Sequence, residues 1–307
     1  MSEPTQKTQK TLVDEDIAAT LRPNLRLMPK RAAKYPALVV ISMAFIFCMM
    51  MVFIFADFIA PFHYTTMDLP NRLKPPAFIG GPAQYWLGTD ELGRDVLSRL
   101  VYAIRFSIFI AILGTGIGAV LGTFLGFVAA HFRGWIEEVL MMLVDAQASL
   151  PFMLLALAVL AFFGNSFTLF IIIMGVNGWE NYARLTRGMV LSANTHGYAV
   201  AVRSLGAKPS SVYFRHILPN IISVLIVQFT LNFPSTILLE TSLSFLGLGI
   251  QPPLTSLGQM LGSGRAHLLY SWWIAVLPGA MIFFTTLSIS IIGDWLRDKL
   301  DPTLKNR

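Results

Sequence analysis

Residues 37–56 form an unbroken apolar run, Ala-Leu-Val-Val-Ile-Ser-Met-Ala-Phe-Ile-Phe-Cys-Met-Met-Met-Val-Phe-Ile-Phe-Ala, with no charged side chain. A helix needs about 20 such residues to cross the hydrocarbon core of a bilayer, and in lipid the backbone must satisfy its own hydrogen bonds. Comparable runs recur along the 307 residues, so the chain is expected to be an all-α, polytopic membrane protein. Composition points the same way. Only 13% of the residues are charged and 55% are hydrophobic, whereas soluble domains carry roughly 25% charged residues to clothe a wet surface. The 23 Phe and the long aliphatic runs are the opposite of a disordered composition.

Six spans are expected, at about 37–56, 106–130, 139–163, a short fourth ending near 179, 221–243 and 272–292. Residues 1–36 are a polar tail with seven Lys/Arg, too long and too mixed in charge for a signal-peptide leader. The membrane domain runs from 37 to 302 and a short tail from 303 to 307. Polar segments at about 57–105 and 180–220 interrupt it. With the N-terminus inside, cytoplasmic segments hold 17 Lys/Arg and outer segments six, which places both termini in the cytoplasm. That bias accounts for the net charge of +6 without any nucleic acid. The one cysteine, Cys48, sits inside the first span and allows no internal disulfide.

Catalytic chemistry is not expected. No Gly-Lys pair occurs, so no phosphate-cradling loop is present, and the five histidines are scattered without metal-ligand spacing. No catalytic residue, metal or cofactor is assigned to the chain. A membrane-embedded enzyme is disfavoured because no polar constellation recurs at helical spacing across the spans. A stand-alone secondary transporter, the alternative reading, lacks paired intramembrane charges and an inverted repeat.

Gly114, Gly118, Gly122 and Gly126 fall at every fourth position, forming one stripe on which another helix can approach closely. Either a helix of the same chain or a second membrane subunit fills it. Asp145 and Glu240 are the acids inside spans, and such residues are functional candidates by default. Both also suit structural roles, Asp145 near the cytoplasmic start of a buried helix and Glu240 near the outer end of the fifth span. In residues 89–105, Leu92, Val96, Leu97, Leu100 and Val101 repeat at helical spacing, with Arg94, Asp95 and Arg99 on the other side. The pattern predicts an interfacial amphipathic helix, serving as an anchor or as a contact for a partner.

In the 180–220 segment, Asn194 or Thr195 can cap a short helix from 198 to 205 that stops at Gly206. Pro209 suits the first turn of a second short helix and Pro219 the first turn of the fifth span. This helix–turn–helix, with small and apolar residues amid Arg203, Lys208 and Arg215, reads as a docking surface for a cytoplasmic partner.

The stretch Tyr198-Ala-Val-Ala-Val-Arg-Ser-Leu-Gly206-Ala-Lys-Pro-Ser-Ser-Val-Tyr-Phe-Arg-His-Ile-Leu-Pro-Asn220 resembles the "EAA" loop of ABC-importer permeases, with Val200 and Val202 as departures. Leu87-Gly-Thr-Asp-Glu-Leu-Gly-Arg-Asp-Val-Leu-Ser-Arg-Leu100, and Glu240-Thr-Ser-Leu-Ser-Phe-Leu-Gly-Leu-Gly249 followed by Gln251-Pro252-Pro253, resemble the dipeptide/oligopeptide/nickel branch. The three occur in the expected order, and the likeness covers residues 37–302. It implies a type I importer permease fold in the bacterial inner membrane. It also implies a homologous permease partner, one or two ATPase subunits that hold the ATP and Mg, and a periplasmic substrate-binding protein. The positions implied to couple the chain to the ATPases are Ala201, Arg203, Gly206, His216, Leu218 and Pro219.

Overall fold

The computed structural model describes residues 36–194, 204–208 and 211–300. Among these, the regular elements are helices, with one isolated bridge between Thr89 and Asp95. In chain order they are α1 (Ala37–Ile59), α2 (Val96–Phe132), α3 (Gly134–Ser149), α4 (Phe152–Phe163), α5 (Phe167–Val176), α6 (Trp179–Ala193), α7 (Leu218–Phe245), α8 (Leu257–Gly264) and α9 (Trp273–Leu300). A π-helical turn, Val212–Ile217, leads into α7.

Four helices are long and apolar enough to cross a membrane: α1, α2, the run Val212–Phe245 and α9. The other two expected spans are not straight crossings. The third divides into α3 and α4, bent by 89°. Pro151 forces the break, because it lacks an N–H and pushes the preceding Leu150 into extended backbone (φ −95°, ψ 137°). The fourth contains α5, whose ten residues rise only about 15 Å. Gly178, with φ of +83°, then turns the chain into α6.

The second span also departs from its expected start at 106. Its helix begins at Val96, where Asp95 caps it by accepting from Ser98 N at 2.8 Å. Of the residues read as an interfacial amphipathic helix, 96–105 are the first turns of α2, and 89–95, with Leu92 and Arg94, belong to the loop before it. Both faces there are buried, Val96 and Leu100 in the core and Arg99 at 3% exposure. Arg99 does not face water because an acid from the preceding loop meets it inside.

Side-chain contacts fix the relative directions of the helices. Along α2, Gly114 meets Met174, Gly122 meets Trp179 and Tyr182, and Gly126 meets Ala183 and Thr186, so α5 and α6 run parallel to α2. Thr115 bonds Thr236 and Ser107 bonds Glu240, so α7 runs antiparallel to it. Gln147 reaches Glu180 while Glu137 reaches Arg187, which sets α3 antiparallel to α6. Trp273 meets Thr89 near the start of α2, and Gly293 meets Thr230 toward the start of α7. Asp57, near the end of α1, accepts from Tyr102 and Arg105 near the start of α2, so α1 and α9 run in opposite directions.

The core follows this arrangement. One cluster, including Val96, Ile104, Ile237, Met260 and Ile274, joins α2, α7, α8 and α9. A second, including Ile110, Leu160, Phe170, Met174 and Leu243, joins α2, α4, α5 and α7.

Candidate functional site

The three segments singled out in the sequence build three different places. The segment that begins at Leu87 makes a buried ionic knot. Asp90 is fully buried and accepts from the backbone N–H groups of Leu92 and Arg94, both at 2.9 Å. Its other oxygen takes Arg94 Nε at 2.7 Å and Arg99 Nη1 at 2.5 Å. With its lone pairs occupied and two guanidiniums beside it, a carboxylate can sit inside without an orphaned charge. Thr89 ties the same segment to two neighbours: its hydroxyl accepts from Lys74 N at 2.8 Å, and its carbonyl accepts from Trp273 Nε1 at 3.2 Å. Nearby, Asp68 accepts from Asn71 Nδ2 and Tyr85 Oη. The Asn71 and Tyr85 hydrogen bonds hold the Asp68 carboxyl below its usual range. Burial, and then the Asp68 contact, push the Tyr85 phenol up to about 12.

The segment that begins at Glu240 makes the junction of α7, α8 and α2. Glu240 is fully buried. Its carboxyl accepts from Ser244 Oγ at 2.8 Å and Ser107 Oγ at 3.3 Å. Ser107 in turn accepts from the N–H of Leu257, the first residue of α8. A Cβ at Gly258 would stand 2.6 Å from Thr241 Cα, so α8 rests directly on α7.

Glu240 is one member of a longer stripe. Asn232, Thr236, Glu240 and Ser244 recur at every fourth residue of α7, and all are buried. This corrects the reading that no polar constellation recurs at helical spacing across the spans. Thr236 meets Thr115 at 3.1 Å, and Tyr182 packs on Asn232 from α6. The stripe was legible as an i, i+4 pattern of polar residues along α7. Asp90 carried no comparable signal, since its partners come from the fold.

Asp145 stands apart from these acids. It is exposed and pairs with Arg184 of α6 at 2.8 Å, a surface contact of small energetic weight. The glycine stripe is filled from within the chain. A Cβ would lie 2.8 Å from Met174 Cβ at Gly114, 3.0 Å from Asn177 O at Gly118, 2.2 Å from Trp179 O at Gly122 and 2.6 Å from Ala183 O at Gly126.

At the opposite end of the bundle from the knot, Gly206 turns the chain with φ of +80° in open space. Ala201, Arg203 and Pro209 lie outside the described residues, as do Val200 and Val202. Pro219 stands in the first turn of α7, as expected. The π turn that includes His216 continues into α7 through Leu218, whose N–H bonds Tyr213 O. That wider ladder lets a proline without an N–H follow inside a continuous helix. Asn220 Nδ2 donates to His216 O at 2.8 Å and covers a carbonyl beside the proline. An apolar groove of about 650 Å³ opens between this segment and the last turns of α2, with His131 Nδ1 and Tyr213 Oη 3.0 Å apart at its edge.

Comparison with known proteins decides the family. Residues 118–306 match the family described as "binding-protein-dependent transport system inner membrane component". Residues 37–76 match the "N-terminal TM domain of oligopeptide transport permease C". The chain belongs to this family of ABC-importer permeases. It is 39% identical to the di/tripeptide transport system permease protein DppC of Pseudomonas aeruginosa, over 85% of this chain and 87% of that one. Identity to the glutathione transport system permease protein GsiD of Escherichia coli is 38%, over 85% of both chains. For the oligopeptide transport system permease protein OppC of Bacillus subtilis it is 34%, over 87% and 86%.

Two solved structures share the permease's fold at 17% identity. One is an amino acid ABC transporter with histidines (TM-score 0.52, 66% of this chain and 94% of that chain). The other is the inward-facing MetNI methionine ABC transporter (TM-score 0.52, 64% and 96%). Permeases of this family are non-catalytic transport components.

Proposed function

We propose that this permease carries a small peptide or peptide-like solute across the bacterial inner membrane, as one of two homologous membrane subunits. A substrate-binding protein delivers the solute outside, and one or two ATPase subunits drive the cycle inside with their own ATP and Mg. The observation that carries this reading is the alignment over 85% of the chain to a di/tripeptide permease, with glutathione and oligopeptide permeases beside it. The helix directions support six crossings: α1, α2, the bent pair α3–α4, the pair α5–α6, the run into α7, and α9. Both termini are then cytoplasmic, the knot at Asp90 lies outside, and Gly206 lies inside.

In this reading Ala201, Arg203, Gly206, His216, Leu218 and Pro219 receive the motion of the ATPases. The π turn and α7 form one continuous rod, so a push near Gly206 reaches Glu240 and α8 at the outer side. The test is to purify the tagged chain gently from its native membrane, identify what accompanies it and measure peptide-stimulated ATP hydrolysis. A second permease and P-loop ATPases in fixed ratio are expected. Gly206→Val, which forces a β-branched residue to positive φ, is expected to keep that assembly and lose most of the stimulation. A chain that emerges alone and drives ion-dependent uptake in vesicles defeats the proposal.

A further inference from the structure

Residues 60–95 form a compact cap whose outer surface is chemically one-sided. Every acid between 60 and 95 is engaged. Asp68 is held by Asn71 and Tyr85, Asp90 by Arg94 and Arg99, Glu91 by Arg94, and Asp95 by Ser98. Arg94 and Arg99 are thereby consumed as well. The remaining cations, Arg72 and Lys74, are exposed and have no ion-pair partner among the described residues.

These two sit on a ribbon with exposed aromatics. The 72–77 and 85–90 segments lie side by side and antiparallel. Leu73 N donates to Asp90 O at 2.9 Å, Thr89 N to Lys74 O at 3.0 Å, and Ala77 N to the carbonyls of Tyr85 and Trp86 at 3.3 Å. Trp86 is 69% exposed and Phe78 68%. An exposed Trp beside free cations, on a scaffold stiffened by a buried ion-pair knot, has the composition of an interface anchor. In the topology proposed above, the exposed Asp57–Arg105 pair, at 2.8 Å, stands toward the outer ends of α1 and α2, and the cap is tied to α2 a turn or more beyond it, at Ser98 and Arg99.

We propose that the ribbon bearing Arg72, Lys74, Phe78 and Trp86 is the docking surface for the substrate-binding protein, which meets it with surface carboxylates around a pocket that takes Trp86. The proposal rests on the permease reading above and adds to it a place and a charge sign. Surface charges of this kind act mainly on encounter rate and on salt dependence.

The test uses the whole complex in nanodiscs, with ATP hydrolysis measured against the concentration of the binding protein recovered with it. The double variant Arg72→Glu, Lys74→Glu is expected to raise the half-saturating concentration about tenfold at low salt and to flatten its salt dependence. The maximal stimulated rate is expected to stay unchanged. Trp86→Ala is expected to weaken docking at all salt concentrations. Unchanged half-saturation in fully assembled variants overturns the proposal. So does a defect that follows the anionic lipid content of the nanodisc, which assigns the patch to headgroups. Loss of the second permease from the variants overturns it in favour of a subunit contact. A wild-type complex that no binding protein stimulates removes the permease reading itself, a result visible before any variant is made.

Discussion

Two buried acids show how the same side chain is housed in two ways. Asp90 is neutralised by charge, with Arg99 at 3% exposure against a fully buried carboxylate. Glu240 is surrounded by hydroxyls: Ser107 and Ser244 bond it, and Thr241 and Ser256 also face it. Removing one arm of a buried ionic cluster leaves the carboxylate short of a countercharge. Arg99→Met is therefore expected to lower the thermal unfolding midpoint in detergent, with Arg94 still holding Asp90. Adding Asp90→Asn to that variant is expected to lower it further, because Arg94 then loses its buried partner. Equal stability of Arg99→Met and wild type would mean the knot holds nothing.

Among the helices, α2 is the hub, and its glycines set how near its neighbours come. They differ in what surrounds them, which the sequence spacing alone does not reveal. Gly122 faces Trp179 O so closely that even one methyl must displace α6, whereas Gly116 faces open space. Gly122→Ala is expected to lower the yield of folded chain and its melting temperature. Gly116→Ala is expected to hold or raise both, since alanine favours a helix by up to about 1 kcal/mol over glycine. Detergent melting curves of the two variants check this, and equal effects would contradict the packing. The third span defied expectation at a proline. Pro151 breaks a span that its apolar pattern reads as continuous, whereas Pro219 stands in the first turn of α7, preceded by a π turn. A proline permits a break or a π turn, and packing against neighbours selects between them.

At the scale of the whole molecule, the ends of the bundle differ in structure: a hydrogen-bonded cap at one and the Gly206 turn at the other. On a background with Cys48 replaced, Gly80→Cys is expected to react with a membrane-impermeant maleimide in intact cells. Gly206→Cys is expected to react only after permeabilisation. Labelling of both from one side would overturn the proposed six-crossing topology. Both glycines have open space around them, so labelling reports location and not folding.

Sequence by itself determined the class of this protein, the positions of four of its crossings and, through three long motifs, its family. Hydrophobic runs and charge bias are local quantities, and the bilayer imposes them on each span separately. The glycine stripe was equally plain at 114–126. What filled it was not, because spacing marks a groove without naming its occupant. Only the tertiary structure brought α6 onto that stripe, broke the third span at Pro151 and buried Arg99 on Asp90. The amphipathic pattern of 89–105 placed Arg99 in water for the same reason that Glu240 looked isolated. The partners of both come from residues distant in the chain or folded back by a loop, and no periodicity records a contact made across 133 residues of sequence.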